Sequence, residues 1–181
     1  MLHADRSRLG LAEEHRRTEA LIEASGLAVT FLRNGWYSEN YAASIPAALQ
    51  HGAFIGSARD GRIASAARLD YAEAAAVALI GDTDARVVHE LAGDEAYTLT
   101  EFAAELSRQS GKTIPYVDLA EAEYRAALTR AELPDSLAAL LADSDAAAAL
   151  GALFDDGREL SHLIKRPTTS LSATIAAAIN A

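Results

Sequence analysis

Apolar residues fall into two kinds of pattern along this chain. In "AEEHRRTEALIEASG", Leu21 and Ile22, with the aliphatic part of Arg17 or Thr18, recur at three- and four-residue steps. That spacing predicts one face of an amphipathic helix, and Gly26 supplies its stop. "LAVTFL" (residues 27–32) follows at once, short and rich in β-formers, and predicts a buried strand. Helix, tight turn and strand in that order feed a parallel sheet in α/β folds. Further on, "SIPAALQHG" predicts a short helix with Ser44 as cap and Pro46 in the first turn. "AFIG" and "GRIASAA" predict two short strands around a turn at Asp60-Gly61. Asp70 is expected to cap the helix "YAEAAAVALIG", which Gly81 closes, and "RVVHEL" predicts a strand. Thr98 and Glu101 have capping-box spacing for the helix "EFAAELSRQSG". "IPYVDL" predicts another strand. Helices then follow over Glu121–Arg130, Pro134–Ala148 and Ser170–Ile179. The fold class is therefore α/β, with one convincing buried strand and a few short ones.

Composition narrows the picture. At 181 residues the chain suffices for one core, so one domain is expected. A formal charge of -10 and a pI near 4.9 would repel a phosphate backbone, which argues against nucleic acid as a partner. There is no cysteine, hence no disulfide or thiolate metal site. No uninterrupted apolar run is long enough to span a bilayer, and the first residues lack the apolar core of a signal peptide. The expectation is a cytoplasmic protein without a membrane partner.

Candidate chemistry is sparse. The eleven glycines are scattered, with Gly52, Gly56 and Gly61 the nearest approach to a phosphate-binding G-x-G-x-x-G turn, and no P-loop is present. The five histidines lie far apart, and "FDDGRE" lacks the alternating oxygen ligands of a calcium loop, so no metal is expected. No serine has the context of a nucleophile elbow. His15 sits in "EHRRTE" within a turn of Glu14 and Glu19. Those carboxylates would favour an imidazolium able to hold a phosphate or polarise a carbonyl; the plainer reading is a solvated histidine on a charged helix face. The distinctive stretch is "LRNGWYSEN" (residues 32–40), which places the chain's one tryptophan in a polar cluster past the predicted strand. Ligands bind at that end of the strands in open parallel sheets. Asn34, Trp36, Tyr37 and Asn40 combine flat rings with amide and hydroxyl groups, which suits a planar ligand such as nicotinamide or a quinone. A structural loop plugged by Trp36 is the alternative.

Together, "LRNGWYSENY", "PAALQHGAFIGSARDGRIASAARLDYA", "ELAGDEAYTLTEFAAELSRQSGK" and "LADSD…GALFDD…LSHLIKRPTT" resemble the C-terminal two-thirds of bacterial NADPH:quinone oxidoreductases, in the NmrA-like branch of atypical short-chain dehydrogenases. The resemblance implies the C-terminal part of a Rossmann-like NAD(P)-binding fold with the small substrate-side domain. Within a single incomplete domain (residues 1–181), the last Rossmann helix, strand and site loop would occupy about residues 1–45 and a mixed α/β substrate-side region about 46–181. It further implies NADPH as cofactor and a quinone as substrate. Asn34, Gly35, Trp36, Tyr37, Ser38, Glu39 and Ser65 would be cofactor-binding, with His15 and Tyr37 as catalytic residues. The Tyr-x-x-x-Lys pair of ordinary short-chain dehydrogenases is not used in this branch and is not found here.

The family carries its Gly-rich loop ahead of the region matched by His3 onward, so hydride transfer from NADPH to quinone is expected to be impaired in this shortened chain. Assembly as a homo-oligomer, or with a separate N-terminal half, would then cover the exposed strand edge. A function of another class is also open: a non-enzymatic, dinucleotide-sensing protein that binds a partner.

Overall fold

The computed structural model describes residues 1–81 and 86–180. Helices intervene between all successive named strands, and every pairing between those strands is parallel, as the α/β reading requires. The elements are α1 (Ala12–Ala24), β1 (Thr30–Asn34), α2 (Ser38–Ala42), α3 (Ile45–His51), β2 (Phe54–Gly56), α4 (Arg68–Ile80), β3 (Val87–Leu91), α5 (Leu99–Ser110), β4 (Tyr116–Asp118), α6 (Glu121–Arg130), α7 (Asp135–Ala148), α8 (Glu159–Ile164) and α9 (Leu171–Ile179). β1 pairs with β3, aligning Thr30 with Val87 and Asn34 with Leu91. β2 pairs with β4, aligning Phe54 with Tyr116.

The main core joins α2, α3, α5 and α9 to β2 through Tyr41, Ile45, Phe54, Leu99, Phe102 and Ile175. The Phe54 and Phe102 rings stand 4.7 Å apart. A second cluster (Tyr71, Leu91, Leu160, Ile164) seats α4 and α8 on β3, and a third (Tyr124, Leu128, Ala138, Ala142) joins α6 to α7. Asp145 is buried inside the main core. It accepts hydrogen bonds from the Tyr41 hydroxyl (2.8 Å) and the Ser57 N–H (2.9 Å). Loss of hydration outweighs these two donors and pushes its carboxyl up to about 6.

Five local expectations change. The strand begins at Thr30 rather than Leu27, and Leu27 and Leu21 are 73% and 67% exposed. α1 is fastened by charge instead of by an apolar face. The buried Arg33 guanidinium donates to Glu19 on α1 (2.6 and 2.9 Å), to Asp5 (2.9 Å) and to Glu90 on β3 (2.7 Å). Residues 53–56 and 61–67 do not form a hairpin. The turn at Asp60-Gly61 exists, but β2 finds its partner in β4, while Ile63 and Ala66 make only single bridges to Tyr97 and Tyr37. Asp70 is not a cap: α4 begins at Arg68. Asp70 is fully buried, taking the Thr169 N–H (2.8 Å) and the Arg166 guanidinium (2.8 Å). Ser44 occupies the cap position of α3 without a capping hydrogen bond.

The Thr98 capping box is present, with Thr98 N–H donating to Glu101 (2.7 Å) and Glu101 N–H donating to the Thr98 hydroxyl (3.1 Å). Thr98→Ala is expected to cost about 1 kcal/mol in urea unfolding, by orphaning the Glu101 N–H.

Candidate active site

Because β1 and β3 are parallel, both deliver the chain to the same end of the sheet, and Asn34 and Leu91 finish side by side. There the chain turns through Gly35, Trp36 and Tyr37 into α2. The Gly35 N–H donates to the Leu91 carbonyl (2.8 Å), and a Cβ at position 35 would stand 3.0 Å from that oxygen and 3.1 Å from the Tyr71 hydroxyl. A larger residue there would need the Leu91 carbonyl or the Tyr71 hydroxyl to give way by a few tenths of an ångström. On the other side, the Trp36 carbonyl accepts from the Ala66 N–H (3.1 Å), and the Ser38 N–H donates to the Ala66 carbonyl (2.9 Å). The loop is clamped along both backbone edges.

A cleft of about 480 Å³ opens against this loop. Asn34, Gly35, Trp36 and Tyr37 form one wall, and His15 and Glu19 of α1 contribute a second. Leu137, Leu140, Leu141 and Ser144 of α7 form a third. Arg68 stands at the rim, its guanidinium 4.1 Å from the centre of the Tyr37 ring, with Tyr71 edge-on to the same ring at 5.4 Å. Such a cation–ring stack orients both side chains. Two polar atoms of the wall, Asn34 Oδ1 and Trp36 Nε1, are buried without a hydrogen-bond partner. One is an acceptor and the other a donor, and each unpaired group costs about 1–3 kcal/mol.

The structure thus gathers His15, Asn34, Gly35, Trp36 and Tyr37 around one cleft, and it places the other three residues behind it. Ser38 and Ser65 are buried with their hydroxyls 2.8 Å apart, and Ser65 lies 2.6 Å from the Tyr97 hydroxyl. Glu39 accepts the Arg68 N–H (2.9 Å) at the start of α4. His15 departs from the sequence expectation in its charge. Partial loss of hydration, aided by the Met1 ammonium 3.4 Å away, lowers its pKa despite Glu14 and Glu19. The neutral imidazole is favoured. Sequence reasoning missed Arg68 and the α7 wall; the signal for the latter was Leu137, Leu140, Leu141 and Ser144 at steps of three, one and three, which share a helix face. Among the described residues, no group of three His, Asp or Glu is placed to hold a metal ion.

Comparison with known proteins fits this geometry. Quinone oxidoreductase 2 of Escherichia coli (strain K12) is 56% identical over 180 residues, or 99% of this chain. The chain is a sequence relative of the quinone oxidoreductases. A crystal structure of the NADPH-dependent E. coli quinone oxidoreductase in complex with NADPH superposes with a TM-score of 0.95 over 99% of the chain. The fold is that of these reductases and their Rossmann-like relatives, so the resemblance in the sequence is borne out. The triphenylmethane reductase of Citrobacter sp. is 27% identical, with a TM-score of 0.91. The chain spans 63% of the length of the E. coli quinone oxidoreductase 2 sequence, 64% of the NADPH-bound chain and 63% of the Citrobacter chain. No protein-family model matches it. Among the described residues, no helix is long and apolar enough to cross a membrane.

Proposed function

We propose that this chain supplies the ring-binding wall of an NADPH:quinone oxidoreductase, holding nicotinamide and quinone rings against the loop of residues 34–37. The observation that carries this reading is the pair of rings in that wall: Trp36 and Tyr37 both line the cleft, and the Arg68 guanidinium is stacked on the second. A planar nicotinamide or quinone ring would pack against such rings in offset or edge-on contact. The ring end of NADPH therefore fits the residues present. Its phosphates find no Gly-rich turn among these 181 residues, so affinity for the whole dinucleotide and the rate of turnover are expected to be low in this chain alone.

When bound, NADPH supplies the hydride and the quinone accepts it. A proton must also reach the product oxygen. The Tyr37 hydroxyl and the neutral His15 imidazole are the groups proposed to pass it. Arg68, packed on Tyr37, lies where it would stabilise a phenolate oxygen until that proton arrives. Ser38, Glu39 and Ser65 act by holding the loop and Arg68 in place.

Trp36 is the only tryptophan, so its fluorescence reports the site directly. A benzoquinone is expected to quench it saturably. Tyr37→Ala is expected to weaken that binding about tenfold, because it removes a ring that lines the cleft and the surface on which Arg68 stacks. If neither saturable quenching nor NADPH oxidation above the non-enzymatic control is found, the reading is wrong.

A further inference from the structure

A second cavity, of about 600 Å³, lies between α3 and the α6–α7 pair. It is larger than the ring cleft, and the two share Asn40, Arg68, Leu137 and Leu141, so only those four side chains stand between them. Its floor is apolar: Phe54, Ile55, Leu128 and Leu133 line it. Small residues on the facing elements, Ala47 of α3 and Ala131 just past α6 among them, keep it wide. Its polar groups belong to Glu39, Asn40, Ser44, His51, Arg68 and Tyr124. Arg68 and Asn40 are joined by a 3.3 Å hydrogen bond. A sugar or phosphate would find no convergent set of donors on the aliphatic floor, whereas a hydrocarbon chain would lose its water at every carbon.

We infer that this cavity receives the apolar tail of the substrate, so that the preferred acceptors are quinones bearing a long alkyl or isoprenoid chain. The inference rests on the proposed seating of the quinone ring in the adjoining cleft. The ring would lie against Trp36 and Tyr37, and the chain would pass between the Arg68–Asn40 pair and the α7 leucines Leu137 and Leu141.

Calorimetric titration of the 181-residue chain with two benzoquinones tests this. One carries a decyl chain and the other a methyl group at the same ring position. The decyl compound is expected to bind about a hundredfold more tightly, as burial of a few methylenes gives. Ala47→Phe and Ala131→Phe add bulk at exposed positions, one within α3 and one just past α6, and should fold normally. Each is expected to erase most of the gain from the decyl chain and to leave the affinity for the methyl compound unchanged. Equal affinities in the parent, or a gain untouched by both substitutions, would overturn the tail site while sparing the ring site. If neither quinone binds, the ring site itself fails and the tail site falls with it.

Discussion

Asp145→Asn is expected to make the fold more stable than the parent at neutral pH and no different in acid. The folded carboxyl titrates at about 6, against 3.8 for the free group, so folding favours its protonated form. The native state is therefore best supported by this group below its unfolded pKa. That support is lost as pH rises from about 4 to about 6, and the loss is complete above the folded pKa. A shift of this size corresponds to about 3 kcal/mol. Asparagine keeps a carbonyl for the Ser57 N–H and turns an amide toward Tyr41, whose hydroxyl can accept as well as donate. Urea unfolding of both proteins at about pH 4 and about pH 7 checks the prediction, by the change in their stability difference. A difference that stays flat across that range would mean Asp145 is ionised without penalty.

Gly93→Ala is the second large effect. A Cβ there would stand 2.0 Å from the Ser65 carbonyl oxygen and 2.8 Å from its carbon, so backbone must move. The segment that must yield carries Ser65, which joins Ser38 to Tyr97, and Ala66, which holds the Trp36 carbonyl. The expected cost is about 3 kcal/mol, at the upper end for overpacking. Quinone affinity should fall with it, because the loop loses one of its two clamped edges. Ser65→Ala is the control: it removes the hydroxyl without pushing the backbone, and its cost should be nearer 1 kcal/mol. Thermal melts and Trp36 quenching of both variants decide the matter. A Gly93→Ala protein with unchanged quenching would show that the clamp does not govern the wall.

What could be read from sequence depended on whether the controlling interaction was local. The Thr98–Glu101 box and the bounds of α5, α6 and α9 follow from side chains a few positions apart, and they stand as read. α2 was hidden because "SENYA" looks like loop chemistry; the contacts that hold it are distant, with Tyr41 buried in the main core and donating to Asp145 far along the chain. β2 and β4 have three residues each, too short for any periodicity, and they pair across the intervening α4, β3 and α5. The outward turn of Leu21 could not be anticipated either, since its helix is steered by the distant Arg33. In the same way, the loop around Trp36 was visible as a cluster of ring and amide groups. The opposite wall lies about a hundred residues away on α7, and only the fold brings it near.

Leu137 and Leu141 face two spaces at once. On the proposed seating, enlarging or trimming those side chains would alter the selectivity for the aromatic head and for the hydrocarbon behind it in a single stroke. Ala47 and Ala131, which line only the second space, and Trp36, which lines only the first, are the positions at which the two preferences would separate.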